Sequence, residues 1–137
     1  MKTLLIVTAM VELGAGFALL SCPSAVAALL LGAPLEAPAA LTVARVGGAA
    51  LVALGVDCWL ARGDTPSRAA RGLIVAMLMY NLVATAVLAF AGIGLGLHGV
   101  ALWPAVVLHA AMAVWCVVCL RCDPQDEAMG INQMSNS

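Results

Sequence analysis

Two charged side chains, Glu12 and Arg45, interrupt long apolar stretches of this sequence. A charge at the centre of a membrane-spanning helix costs roughly 2.5–3.5 kcal/mol on insertion scales, so such a residue usually has a partner or a function. Two further apolar stretches carry His109 and Asn81, with Tyr80 beside the latter. A carboxyl and an imidazole can exchange protons, and an amide and a phenol can orient a bound molecule. These five residues are therefore the candidate ligand or proton site.

The composition indicates what surrounds these residues. Of the 137 residues, 64% are apolar and 9% are charged, whereas about a quarter of the residues in a typical soluble domain are charged. The mean hydropathy is +1.09. These few charges cannot cover a water-facing surface, and no basic stripe or phosphate-binding glycine loop points to nucleic acid. The composition predicts an integral membrane protein whose first partner is the lipid bilayer.

Four apolar stretches are long enough to cross a bilayer, since a helix needs roughly 20 residues to span about 30 Å of hydrocarbon. They cover about residues 3–20, 38–61, 69–91 and 101–120. A short helix at about 23–31, between a proline and a glycine stop, lies in the membrane interface or folds back against the bundle. The predicted fold class is all-α: an up-down-up-down four-helix transmembrane bundle in a single domain, 1–122. We expect the polar tail, 123–137, to be disordered.

Lysine and arginine are distributed asymmetrically between the two ends of these helices. The loops at one end, residues 21–36 and 92–100, contain neither. The other end collects Lys2, Arg62, Arg68, Arg71 and Arg121. Because positive residues stay in the cytoplasm, we expect both termini to be cytoplasmic. A cleaved leader ending near Cys22 is the less favoured alternative, because a charge interrupts the first stretch.

The polar positions fall at similar depths in the predicted bundle. A rise of about 1.5 Å per residue places Glu12 about 13 Å and Arg45 about 20 Å from the cytoplasmic end. Asn81 and His109 both lie at about 18 Å by the same rise. Small residues share the faces of Glu12 and Arg45, which predicts that both face the bundle interior. Tyr80 is also too deep for an interface position.

Two interpretations of this cluster stay open. In the first, a Glu12–Arg45 ion pair, braced by the amide and the imidazole, only fixes how the helices pack. In the second, the cluster lines a cavity for a polar headgroup, a proton or a lipophilic substrate. A different helix rotation, with Arg45 reaching the headgroups, is the remaining alternative.

Four cysteines are candidate metal ligands. Cys116, Cys119 and Cys122 have the spacing of metal and redox sites, and Cys58 could add a fourth sulfur. On a continuous helix, however, the three sulfurs spread over more than a third of the circumference and do not converge. We therefore expect no metal site and keep these cysteines as weak candidates only. The sequence requires no cofactor.

Short motifs around the first two long helices carry a family resemblance: Glu12–Gly16, Pro23, Gly32–Pro34 and Ala44–Gly48. They resemble the DoxX-like families of small membrane proteins. That resemblance implies a four-helix bundle of the bacterial inner membrane. It also implies an accessory subunit of a membrane redox enzyme, or another membrane-bound module, and so a partner more than a reaction.

The leading functional interpretation is a non-catalytic membrane protein. It is either an accessory subunit, with a membrane-protein partner or a second copy of the chain, or a bundle that holds a lipid-like or quinone-like molecule. A proton-coupled transporter using Glu12 or His109 is the first alternative, because small multidrug resistance transporters also carry one Glu in the first of four helices. Their aromatic residues in the third helix are reduced here to Tyr80. An intramembrane enzyme acting on a lipophilic substrate is the second alternative.

Overall fold

Helices make up all the regular structure in the described part of the chain. The computed structural model describes residues 1–64 and 67–122. Its helices are α1 (Lys2–Ser21), α2 (Pro23–Leu31), α3 (Pro38–Ala61), α4 (Arg68–Ile93) and α5 (Leu102–Arg121). All except α2 are long and apolar enough to cross a membrane. The predicted all-α class is confirmed, and the limits of the long helices differ from the predicted ones by at most two residues. The tail at 123–137 lies outside the described residues.

The helix limits follow from local residue types. Pro23 and Pro38 begin α2 and α3. The N–H that proline lacks has no partner in the first turn of a helix, and the fixed φ of proline suits that turn. The Ser67 hydroxyl accepts a hydrogen bond from the backbone N–H of Ala70 (3.1 Å) and caps α4. Gly32 ends α2 with a φ of 81°, a left-handed conformation that favours glycine.

Glycines bring α1 and α3 into backbone contact. The two helices run antiparallel, with Gly16 against Gly48 and Leu13 against Gly55. A Cβ on Gly48 would lie 2.8 Å from the Gly16 carbonyl oxygen, and a Cβ on Gly16 would lie 2.7 Å from that of Gly48. No other residue type fits this seam without moving a helix. Close approach through small residues is the common way in which helices associate in lipid.

The second helix pair is α4 and α5, also antiparallel, with Gly92 of α4 packed against Leu102 and Trp103 of α5. Most contacts between helices lie within these two pairs, and few join one pair to the other. Side chains therefore have to fill the space between the pairs. At the end where α1 begins and α5 finishes, a buried apolar core does so. The core consists of Leu4, Leu5, Ala9, Cys58, Ile74, Met77, Met112 and Cys116.

The short helix α2 is folded back against the opposite end of the bundle, hereafter the α2 end. The carbonyl oxygen of Leu29 accepts a hydrogen bond from the backbone N–H of Ala101 (2.9 Å), just before α5. Gly99 lies directly against the backbone of Leu29 and Leu30, where a side chain would have no room. The Ser24 hydroxyl donates to the carbonyl oxygen of Leu35 (3.0 Å) and ties α2 to the segment that follows it. Of the two placements predicted for this helix, the structure has the folded-back one.

We expect Gly48→Ala to destabilise the protein by about 1–3 kcal/mol, because the new methyl group overpacks the α1/α3 seam. Gly47→Ala is the matched control, since a Cβ there has nothing within 4 Å. It should be neutral or slightly stabilising, because alanine is the better helix former. The measurement is the free energy of unfolding in mixed detergent micelles, followed by circular dichroism. Equal effects of the two substitutions on the free energy of unfolding would contradict the close contact of α1 and α3 at Gly48.

Candidate functional site

Glu12 is the most deeply buried charged residue among the candidates, with 3% of its surface exposed. It lies on α1 at the level where the two helix pairs face each other. The side chain of Tyr80, on α4, lies close to the Glu12 carboxyl, to which its phenol can donate a hydrogen bond. This contact joins one helix pair to the other across the middle of the bundle.

Asn81 fixes the position of His109. The Asn81 Nδ2 group donates a hydrogen bond to the carbonyl oxygen of Met77, one turn earlier on α4 (2.8 Å). That carbonyl can only accept, so Oδ1 is the atom that faces α5, where it lies 2.8 Å from His109 Nδ1. Thr85 continues the network by donating its hydroxyl to the carbonyl oxygen of Asn81 (2.8 Å). Asn81 itself is 1% exposed, so its amide is held on both sides inside the protein.

The Tyr80 and His109 rings also touch. Their centroids are 5.6 Å apart and their planes meet at 82°, an edge-to-face arrangement that favours aromatic pairs. Four side chains from α1, α4 and α5 thus form one connected group: Glu12, Tyr80, Asn81 and His109. We call this group the polar cluster. The sequence predicted Glu12, Asn81 and His109 in one band of depth together with Arg45, and Tyr80 as a further interior residue. The structure brings these residues together without Arg45.

A cavity of about 390 Å³ lies between the polar cluster and the α2 end. The polar side chains that line it in the described part of the chain are Glu12, Tyr80 and His109. Apolar residues of all five helices form its walls. These wall residues include Ala15, Val26, Leu30, Leu51, Ala84 and Ala105. The cavity is therefore an apolar space with three polar groups at one end.

Arg45 does not belong to this group. It is exposed on α3, does not line the cavity, and makes no ion pair with Glu12 in the described residues 1–64 and 67–122. The expected Glu12–Arg45 pair is thus absent from this part of the chain. The reason is helix rotation: α3 turns Gly48, Gly55 and Cys58 inward, and the helical position of Arg45 points away from the cavity. Tyr80, and not Arg45, lies beside the Glu12 carboxyl.

Cys58 and Cys116 share the apolar core, and the other two candidate cysteines lie nearer the surface. Cys58 and Cys116 are fully buried in the apolar core, Cys119 is half-buried and Cys122 is exposed. Within the described residues, no group of three or more His, Cys, Asp or Glu side chains is arranged to hold a metal ion.

Two features of the site were not predicted. The first is the wall contributed by α2, through Val26 and Leu30; a short apolar helix carries no periodic signal that tells which face is covered. The second is Thr8, one turn from Glu12 and 1% exposed, whose hydroxyl has no hydrogen-bond partner among the described residues. Its position on the same stripe as Glu12 was the available signal.

A separate groove of about 540 Å³ runs along the outside of α4 and α5, from Leu78 to Arg121. No member of the polar cluster lines it. It is a second apolar surface, so an experiment on the cavity has to distinguish binding in the cavity from binding in this groove.

Comparison with known proteins gives no match to a family model, to a curated protein or to a solved structure. The resemblance to the DoxX-like families stays a prediction.

The contact between Asn81 and His109 can be measured by a double-mutant cycle with Asn81→Leu, His109→Leu and the double variant. We expect a coupling free energy of about 0.6–1.7 kcal/mol, the range of side-chain hydrogen bonds between membrane helices. Thr85→Val combined with His109→Leu is the control, because Thr85 bonds only to a backbone carbonyl in the described structure. Additivity of the Asn81 and His109 substitutions would show that the bond contributes nothing.

For Arg45→Leu and Glu12→Gln the position of Arg45 predicts additive effects, in contrast to the coupling expected between Asn81 and His109. Because the two side chains are not paired, their effects on the unfolding free energy should add to within about 0.5 kcal/mol. Tyr80→Phe with Glu12→Gln is the coupled comparison. A coupling free energy between Arg45 and Glu12 as large as that between Tyr80 and Glu12 would show that Arg45 and Glu12 form an ion pair.

Proposed function

We propose that this chain is an integral membrane protein that holds a lipophilic small molecule in its cavity. In this proposal the four long helices cross a bacterial inner membrane in an up-down-up-down order. Both termini lie in the cytoplasm, because the basic residues gather at that end. Arg62, stacked over the Trp59 ring at 3.8 Å from its centroid, marks the same end.

The observation that carries the proposal is the cavity itself. Its volume, about 390 Å³, falls within the roughly 300–1,000 Å³ of small-molecule sites. Such sites combine mostly apolar walls with a few polar groups that fix the orientation of the ligand. Here the polar groups sit at one end only, which suits a molecule with one polar head and an apolar body.

The proposed ligand places its head on Glu12, Tyr80 and His109 and its body toward α2. Leu30 of α2 and Val87 and Leu88 of α4 line the apolar end. Polar side chains at this depth are costly in lipid, so a ligand that satisfies them gains affinity that a plain hydrocarbon does not. A lipid-like or quinone-like molecule has the required shape.

The other interpretations have less support. A transporter needs access from both ends, and the half of the bundle beyond Glu12 is filled by buried side chains such as Leu5, Ile74 and Met77. An enzyme would use Glu12 and His109 as acid and base, and the structure adds no observation that favours a reaction over binding. An accessory role beside a partner protein is compatible with ligand binding, and the DoxX-like resemblance favours it.

Filling the cavity tests the proposal. Native mass spectrometry of the protein, extracted gently from its own membranes, should show one added small-molecule mass per chain. Ala84→Phe should remove that mass, because Ala84 lines the cavity and the larger side chain occupies it. Ala86→Phe is the matched control, exposed on the same helix, and should retain it.

Two results would contradict the proposal. One is wild-type protein without any bound small molecule under these conditions. The other is a bound mass that survives Ala84→Phe and is lost in Val114→Trp, since Val114 lines the outer groove instead.

A further inference from the structure

The hydrogen bonds of Asn81 determine which nitrogen of His109 carries a proton. Asn81 Oδ1 can only accept a hydrogen bond, so His109 Nδ1, 2.8 Å away, must be the donor. A neutral imidazole carries one N–H, and here that proton is on Nδ1. Nε2 is then left with a lone pair.

The Nε2 lone pair is available to a ligand. Nε2 has no hydrogen-bond partner among the described residues, and the His109 side chain lines the cavity. The edge-to-face contact with Tyr80 and the Asn81 bond hold the ring from two sides. An acceptor atom is therefore presented in a fixed direction to an otherwise apolar space.

Tyr80 does not supply a competing donor to Nε2 in this arrangement, because it meets the His109 ring edge to face and no hydrogen bond joins the two side chains among the described residues. A carboxyl oxygen accepts hydrogen bonds, so Glu12 adds acceptor positions beside the imidazole. The end of the cavity thus offers acceptors from two side chains, Glu12 and His109, to a ligand head.

We propose that the ligand is a lipophilic alcohol or phenol whose hydroxyl donates a hydrogen bond to His109 Nε2. This inference rests on the proposed function and names the chemical class that the cavity takes. An acceptor-only head, such as an ether or the carbonyl of an oxidised quinone, would leave Nε2 unpaired and desolvated, so a quinone-like ligand would bind in its reduced, hydroxyl-bearing form. A hydroxyl needs one acceptor and can accept in return.

The test compares 4-nonylphenol with 4-nonylanisole, its methyl ether, on the full chain in detergent micelles. The two probes share their apolar body and differ in the one O–H. We expect the ether to bind about tenfold more weakly, the effect of leaving a buried acceptor unsatisfied. In Ala84→Phe neither probe should bind, which separates the cavity from partitioning into the micelle.

Nitrogen-15 NMR of histidine-labelled protein gives a second readout. Without a probe, His109 should show a protonated Nδ1 and an unprotonated Nε2. The phenol should shift the Nε2 resonance and the ether should not. His98, exposed in the loop before α5, is the internal control and should respond to neither.

The variants separate positioning from binding. His109→Phe should retain both probes and lose the preference for the phenol. Asn81→Leu removes the acceptor that holds Nδ1–H, so the preference should fall and both nitrogens should share the proton.

A protonated Nε2 in the wild type, or equal affinity for phenol and ether with an unshifted His109, would overturn the inference while leaving the cavity as a binding site. Failure of both probes, together with no co-purified small molecule, would overturn the proposed function as well.

Discussion

The close contact of α1 and α3 at Gly16 and Gly48 is the constraint on which the rest of the structure depends. Because these helices touch through their backbones, almost no side chain is needed between them, and the large apolar residues are left to fill the space between the two helix pairs. Leu5, Ile74 and Met77 do so at one end. Toward the α2 end the lining includes four alanines, Ala84 among them, and these small side chains leave space unfilled. The cavity is thus the consequence of tight helix pairs separated by side chains of unequal size.

The polar cluster is stable in this setting because its members satisfy one another. A polar group without a partner is costly in a hydrocarbon environment, so each hydrogen bond counts for both residues it joins. Tyr80 lies beside Glu12, and Asn81 bonds both to its own helix and to His109. These bonds also run between helices that otherwise meet only through scattered contacts. The His109 nitrogen that has no partner, Nε2, belongs to a side chain that lines the cavity. The same arrangement can therefore hold the bundle together and, in the proposed function, bind a ligand.

Depth could be predicted from the sequence, and helix rotation could not. The rise per residue is the same in any helix, so Glu12, Asn81 and His109 could be assigned to one level before any contact was known. Rotation needs a contrast between polar and apolar faces, and α3 is apolar and small almost all round. Arg45 was therefore assigned to the inner face together with Gly48, whereas only Gly48 is buried. The wall formed by α2 was missed for the same reason, since every face of that short helix has a similar composition.

The two ends of the cavity are set by a single helix. The N–H of Ala101 holds α2 through Leu29 immediately before α5 begins, and His109 lies about two turns further along that helix. From Leu102 to His109 the rise is about 10 Å, so the distance between the short helix and the polar cluster is fixed by α5 rather than by a loop. Gly99 is essential to this arrangement because only a residue without a side chain lets the loop lie against α2. In the proposed function, a site length set by regular helix geometry selects for the size of the ligand, and the free nitrogen of His109 selects for the chemistry of its head.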